Sequence, residues 1–499
     1  MIGESPLYAA IDLGSNSFHM LVVRNVGGSV RAVSRVKRKI RLASGLDDQG
    51  YLNEEAMERG LDCLKMFAEQ LANIPDKNIR IVGTATLRLA KNANVFINRA
   101  EAILRQPIEI ISGEEEARTI YHGVMSTSAY TGRTLVIDIG GASTELIIGV
   151  GPEIKVLHST SMGCVTWLKG YFADGIISPQ AYAQAIEGAK AVLAPYAAEY
   201  LAVGFDSCIG ASGTVQALHE IMSARGENEA VTYEKLLELK NQTIACGSMQ
   251  NLSIEGLTPE RLNVFPSGLA VLMAIFELFS IKSIVLAGGA LREGIIYGLW
   301  GKSATTDVRL ATVDSLILRY QLDRLQALFV TRTALEAFDA LKTIWNIDNP
   351  EARSMLRWAA MLHEIGLCIE YKNAPKHAAY IIDNIVMPGF TVAQKKLLSA
   401  LMLNQRDDFI PEVFTHQNAI SATEAVCLAR ILRVAIILCM CRSSADGRKE
   451  VAFEGLAERS LKLHLPSGWK DEHYLRTVAL KDECSRQLAL GWNMEITEE

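Results

Sequence analysis

No two of the nine cysteines form a C-x-x-C pair, and only Cys439 and Cys441 stand close together. Such scatter excludes a zinc ribbon or a disulfide framework and suits reduced thiols. An excess of basic charge is lacking as well. The net charge of −6 argues against a general nucleic-acid binder, so no nucleic-acid partner is expected. The first residues carry Glu4 and no basic n-region, so no secretory signal is expected. Long apolar runs are missing too: Gly268 to Phe276 is interrupted by Glu277, so no membrane span is expected. What remains is a soluble, cytoplasmic chain. At 499 residues and 49% apolar content it has ample core for roughly two to four domains.

The stretch Leu135 to Ile148, LVIDIGGASTELII, is an apolar run ending on Asp138, a turn of Gly140, Gly141, Ala142 and Ser143, and a second apolar run. Apolar runs joined by Gly and Ser read as a β-hairpin. Successive N–H groups round such a turn make an anion-binding concavity, and an acid at its mouth can hold Mg²⁺ directly or through water. An ordinary hairpin with a capping Asp is the alternative. Tyr8 to Val23, YAAIDLGSNSFHMLVV, has the same layout. A shift of 126 residues puts Asp12 on Asp138, Gly14 on Gly140, Ser17 on Ser143 and Leu21 on Ile147, while His19 falls on Glu145. Two such hairpins suggest a duplicated domain with two phosphate-gripping turns facing across a cleft.

Between and beyond the hairpins the chain alternates strand and helix. Ser29 to Leu42 is strand-like and carries Arg31, Arg35, Lys37, Arg38, Lys39 and Arg41. It is either a landing strip for a polyanion or an edge strand protected by charge. Asn53 caps a helix to Leu71. A strand at Arg80 to Val82 leads to Arg88, which either clamps a phosphate bidentately or merely opens a helix. Ser112-Gly113-Glu114-Glu115-Glu116-Ala117-Arg118 opens the next helix. Its acids complement the macrodipole, or supply a base that deprotonates water. Further glycine-marked turns follow strands at Gly210 to Thr214 and Ala287 to Ala290, each opening a helix, and Arg261 to Leu269 opens an apolar helix.

Taken together, DLGSNSFHM, GTATLR, SGEEEAR, DIGGASTEL, MGCVTW, GASGT and AGGALREG resemble the exopolyphosphatase/guanosine pentaphosphatase family over essentially the full length. The resemblance implies an α/β fold. Two duplicated actin-like lobes (sugar kinase, Hsp70 and actin; ribonuclease H-like) would occupy 1–124 and 125–309. A mostly helical HD-like module would follow at 310–445, and a small α+β segment at 446–499. It implies a Mg²⁺-dependent phosphohydrolase acting in the stringent response, as a homodimer. Glu116 would be the catalytic base, with Glu114 and Glu115 as fallbacks, and Arg88 the phosphate-contacting cation. Mg²⁺ would lie near Asp138 and Glu145. Gly14, Ser15, Asn16 and Ser17, with Gly140, Gly141, Ala142 and Ser143, would bind phosphoryl oxygens. Ser212, Gly213 and Thr214 would line the cleft, and Arg261 would meet a guanosine nucleotide. Ala142 and MGCVTW look more like the members that convert guanosine pentaphosphate to the tetraphosphate, with inorganic polyphosphate a second substrate. Alternatives are an exopolyphosphatase proper, a sugar-kinase-type phosphotransferase, and a nucleotide-binding regulator without turnover. No sugar-pocket signature supports the phosphotransferase.

Beyond about residue 310 helical periodicity takes over, from Leu316 through Ile344 and from Glu351 to Met361. An HD metal centre needs a His-Asp pair with further ligands. Here the pair is His363-Glu364, no other His occurs between His219 and His363, and Leu367 breaks an HExxH pattern. The module is therefore read as degenerate, with His363 and His377 as polar core or interface residues. Asp446-Gly447 signals a turn, Leu461 to Leu465 a strand, and Tyr474 to Leu488 a helix.

Overall fold

The computed structural model describes residues 6–26, 29–129, 132–227, 230–301, 307–442 and 451–498. Apart from the short 26–28 segment, the chain divides into two compact units, one up to Val308 and one from Arg309.

The first unit holds two sheets. Strands β1 (Leu7–Leu13), β2 (Ser17–Val26), β3 (Ser29–Lys39), β4 (Ile79–Gly83) and β5 (Ile108–Ile110) form one, in the order β3-β2-β1-β4-β5. The other comprises β6 (Arg133–Ile139), β7 (Thr144–Val150), β8 (Glu153–Thr160), β9 (Ser207–Gly210), β10 (Val231–Thr232) and β11 (Ser283–Leu286), in the order β10-β11-β9-β6-β7-β8. In each, a three-strand meander precedes two strands added in parallel on the far side of the first strand, and the second sheet adds β10 antiparallel at its edge. The register repeats as well: Asp12 pairs with His19, and Asp138 with Glu145. The 126-residue shift therefore holds across the two hairpins.

Side chains alternate across a strand, and this fixes which residues meet. Ala9, Ile11, Leu13, Phe18, Met20 and Val22 face outward, onto the helix Glu54–Leu71, whose N-cap Asn53 accepts from Ala56 N. Leu135, Ile137, Ile139, Leu146 and Ile148 pack with the apolar helix Phe265–Phe279. The intervening Ala10, Leu21, Val23, Val136 and Ile147 share an inner cluster with two helices, Gly113–Thr127 and Leu291–Leu299. By the same alternation Asp12, His19, Asp138 and Glu145 belong to the inner faces. The two inner helices touch backbone to backbone. A Cβ on Gly123 would stand 2.0 Å from Ala290 O, and one on Gly294 would stand 1.9 Å from Thr119 O. Residue 124 lies inside the first of these helices, which belongs in sequence to one sheet and packs on β7 and β8 of the other.

Glu277 does not interrupt the apolar helix as expected. A short 3₁₀ turn, Leu262–Val264, runs into it, so that Leu262–Phe279 is long and apolar enough to cross a membrane by length and composition. It is 72% buried inside the protein. A core position explains an apolar helix of that kind without any bilayer.

In the second unit, the expected helical stretch from Leu316 through Ile344 is two helices, Val308–Arg319 and Arg324–Leu341. Gln321 takes a left-handed φ of 53°, and Asp323 caps the second helix by accepting from Gln326 N. Further helices follow at Pro350–Leu362, Ala374–Asn384, Val392–Leu403 and Ala422–Leu438. Strands β12 (Ala452–Gly455), β13 (Leu461–Leu465) and β14 (Met494–Glu498) and the helix Tyr474–Ala489 bury Leu461, Leu463, Leu465 and Leu480 in the same core as Trp345 and Trp358. Asp446 and Gly447 lie outside the described residues. His363 is buried, its Nδ1 2.7 Å from Ala360 O, and burial drops its pKa to about 4. His377 faces Glu370 at 3.8 Å.

Candidate active site

All four glycine-marked turns open onto one cleft of about 420 Å³ in the first unit. Gly14, Ser15, Asn16 and Ser17 line it from the β1–β2 hairpin, and Gly140, Gly141 and Ser143 from the β6–β7 hairpin. The two turns nearly meet: a Cβ on Gly141 would lie 3.1 Å from Ser15 Cβ. Cys164 N and Val165 N donate to the carbonyls of Gly140 and Gly141, so the MGC segment braces the second turn. Ser212 and Gly213, at the start of the helix Gly213–Ala224, and Arg261 line the cleft as expected. Ala142 and Thr214 do not. Ala142 is buried behind its turn, and Thr214 points into the core beside Gly268, whose Cβ would lie 2.6 Å from Thr214 Oγ1.

Four carboxylates come together here, Asp12, Glu116, Asp138 and Glu145, and a fifth lining acid, Glu293, is paired with Arg35 at 3.7 Å. The acidic triplet is separated by burial. Ser112 caps the helix by accepting from Glu115 N, which leaves Glu114 exposed and Glu115 half-buried. Glu116 turns inward with Ala117 and Ile120 and is only 7% exposed. Burial holds it at about 7, well above the ordinary carboxylate value, against the pull of Arg88 and with a further push from Asp12 and Asp138. Asp138 is raised to about 7 by burial and then by Asp12, with Arg292 opposing. Glu145, 1% exposed, is raised well above its usual value by burial, Glu116 and Asp138, although Ser159 Oγ donates to it at 2.8 Å.

Arg88 is placed differently from expectation. Its Nη1 donates to Glu116 Oε2 at 2.7 Å and to Ile111 O at 2.9 Å, and its side chain does not form the cleft wall. One guanidinium nitrogen is thus engaged by Glu116 and a backbone carbonyl. The site also contains residues that sequence reasoning did not assign to it. Asp12, noted only as the counterpart of Asp138, has Oδ1 buried without a hydrogen-bond partner, and Oδ2 lies 3.4 Å from His19 Nδ1. Arg35 and Lys37 reach the cleft from β3, and Arg292 from the helix Leu291–Leu299. Alternation along the basic strand was the available signal for the first two.

Hard carboxylate oxygens that repel one another in a buried cleft suit Mg²⁺. Asp138, Glu145 and the orphaned Oδ1 of Asp12 would hold it. Among the described residues no three His, Cys, Asp or Glu groups form a ready-made metal cluster. Mg²⁺ usually takes one or two carboxylates and completes its shell with water and substrate phosphate, so the donor set fits that mode.

Two family models match the chain: the Ppx/GppA phosphatase family over residues 21–303, and Ppx/GppA phosphatase, domain III, over residues 308–484. The chain belongs to the Ppx/GppA phosphatase family. It is 59% identical over 495 residues to a guanosine-5'-triphosphate,3'-diphosphate pyrophosphatase of Aeromonas hydrophila, covering 99% of each chain. It is 48% identical over 498 residues to the protein of that name from Vibrio parahaemolyticus, again covering 99% of each. The crystal structure of an exopolyphosphatase from Cytophaga hutchinsonii superposes with a TM-score of 0.55 at 25% identity, over 60% of this chain and all of that one. The Aquifex aeolicus PPX-GPPA enzyme gives a TM-score of 0.51 at 22% identity, over 59% of this chain and 99% of that one, which bears on the fold alone. The fold is thus the duplicated actin-like one of this phosphatase family, followed by its helical domain III. The family assignment makes the enzyme a hydrolase.

Proposed function

We propose that this enzyme removes the terminal phosphate from the 5′ chain of guanosine pentaphosphate, giving guanosine tetraphosphate and orthophosphate. The observation that carries the reading is the inward Glu116, held by Arg88 and facing two glycine-rich turns across a buried cleft. Its substrate rests on the full-length likeness to relatives bearing that pyrophosphatase name.

Glu116 accepts a proton from a water in line with the terminal phosphoanhydride. The water oxygen bonds to phosphorus, the P–O bond to the leaving oxygen breaks, and the residual nucleotide departs with the electron pair. Backbone N–H groups of the Gly14–Ser17 and Gly141–Ser143 turns, which line the cleft, would donate to the phosphoryl oxygens, where preorganised donors stabilise developing charge. Asp138, Glu145 and Asp12 would hold Mg²⁺, which would supply charge neutralisation for the phosphates. Arg88 orients the base. No covalent intermediate is needed.

Inorganic polyphosphate is a second substrate on this reading, supported by the cations of β3 that reach the cleft. The scatter of the nine cysteines along the chain fits a reducing cytoplasm. A homodimer, implied by the family resemblance, is checked by light scattering of the full chain. The reaction is tested by Mg²⁺-dependent phosphate release from guanosine pentaphosphate and from long-chain polyphosphate, for wild type and Glu116→Gln. Loss of a positioned base costs roughly 10²–10⁴-fold in turnover. A variant that keeps wild-type turnover removes Glu116 as the base. A wild type that binds pentaphosphate but releases nothing makes the protein a regulator.

A further inference from the structure

The cleft has two electrostatic poles. Asp12, Glu116, Asp138 and Glu145 form one, and the reaction above uses it. The other is built from three cations that the chain brings together from β3, the loop before the apolar helix, and the helix Leu291–Leu299.

Strand β3 fixes their arrangement. At one end Arg35 Nη2 lies 3.7 Å from Glu293, the neighbour of Arg292. At the other, Lys39 Nζ donates to Glu260 O at 2.9 Å, beside Arg261. Arg35 and Lys39 are four residues apart, about 13 Å along a strand, and share one face with Lys37 between them. Lys37 therefore stands between Arg292 and Arg261. The guanidinium of Arg261 lies over the start of the helix Gly213–Ala224, so close that a Cβ on Gly213 would fall 1.8 Å from Nη2. Beneath it Ser212, 6% exposed, has its Oγ buried without a hydrogen-bond partner.

Among the described residues, none of Lys37, Arg261 and Arg292 takes part in an ion pair within 4 Å. Burial and the charges of Arg261, Arg292 and Lys39 hold the Lys37 ammonium below its ordinary pKa, with Glu220 the one acid opposing. Three unpaired cations, an orphaned hydroxyl and a helix N-terminus in one wall amount to a built anion site.

We infer that Lys37, flanked by Arg261 and Arg292 above Ser212, forms a second phosphate subsite that takes the 3′-diphosphate of the nucleotide. This rests on the proposed reaction and adds the specificity-determining pair Lys37 and Arg292. The acidic pole takes the scissile end of the 5′ chain; the cationic pole reads the group that distinguishes the substrate from GTP.

Equilibrium binding tests this without turnover. Calorimetric Kd values for guanosine tetraphosphate and for GDP are measured for wild type, Lys37→Gln, Arg292→Gln and Lys37→Arg in the full chain. The readout is the ratio of the two Kd values. Wild type prefers tetraphosphate at least tenfold. Each Gln variant lowers that preference about tenfold, the worth of one charged hydrogen bond to phosphate, and Lys37→Arg retains it. The inference is overturned if wild type binds GDP as tightly, or if the Gln variants weaken both ligands equally, which would place the trio on the 5′ chain. Phosphate release from pentaphosphate by the wild type is scored separately, so failure of the reaction and failure of the subsite are distinguishable.

Discussion

Replacing Arg88 by Met separates the two things a guanidinium can do beside a base. In the structure Arg88 is the one attractive charge on Glu116, at 2.7 Å, and it opposes burial, Asp12 and Asp138, which all disfavour the carboxylate. With the balance struck at about 7, roughly half of Glu116 is ionised at pH 7. A close opposite charge is worth about one to three pH units, discounted here because the Arg88 side chain is partly exposed. Its removal should move the acidic limb of the kcat/KM profile upward by about one unit. At pH 7 the ionised fraction then drops to about a tenth, a fivefold loss that returns as the pH is raised toward 9. The assay is phosphate release between pH 5.5 and 9.5 at constant ionic strength and saturating Mg²⁺. Mg²⁺ lowers the limb in both proteins, so the difference between them is what is read. If Arg88→Met loses kcat/KM by one factor at every pH and the limb stays put, Arg88 grips the substrate phosphate and the positioning argument is wrong.

Stability in a chelating buffer should depend on pH with a definite sign. The folded values of Glu116 and Asp138 lie above their unfolded ones, so the stability linked to their protons is complete below about pH 4 and is lost as the pH rises through about 7. The melting temperature should fall between pH 5 and 8 and recover at pH 8 on adding Mg²⁺; a flat profile would show that the acids are not electrostatically strained. Gly294→Ala drives a Cβ into the Thr119 carbonyl, and denaturant titration should show a loss of about 2–3 kcal/mol. Gly213→Ala displaces the Arg261 guanidinium, and KM for pentaphosphate should rise more than kcat falls. In the second unit, Arg433 and Glu483 are each 2% exposed and paired at 2.7 Å. Arg433→Met should cost about 3–5 kcal/mol, most of it recovered in the double variant with Glu483→Leu, because the damage lies in the charge left behind.

The hairpins and the duplication were legible because a strand carries its own period and a glycine turn its own signature. The choice of Glu116 within its triplet was not: on a helix Glu114 and Glu116 both flank the stripe of Ala117, Ile120, Tyr121 and Val124, and only packing around the first turn separates them. The partner of Arg88 was not legible, since 28 residues and two elements separate it from Glu116. Nor was the cationic pole. The charges on β3 stood out as a run, but their meeting with Arg261 and Arg292 depends on how both sheets fold back on each other. The break between the helices ending at Arg319 and starting at Arg324 was missed because no Gly or Pro marks it. Gln321 accepts a left-handed φ that glycine would take more cheaply.

The duplication also explains why the site is asymmetric. Both hairpins place an acid at the end of their first strand, and both pair it with an inner-face residue on the second. In the second copy that residue is Glu145, and carboxylate faces carboxylate. In the first it is His19, within 3.4 Å of Asp12. Had the first copy kept an acid there, the acidic pole would gather one more buried carboxylate, each raising the pKa of the others. Histidine instead gives Asp12 a partner on one oxygen and leaves the other open to the cleft. A like-for-like copy would have made two equivalent acidic half-sites. The departure at one paired position leaves a single acidic pole, and the basic strand that follows the first hairpin supplies the opposite one.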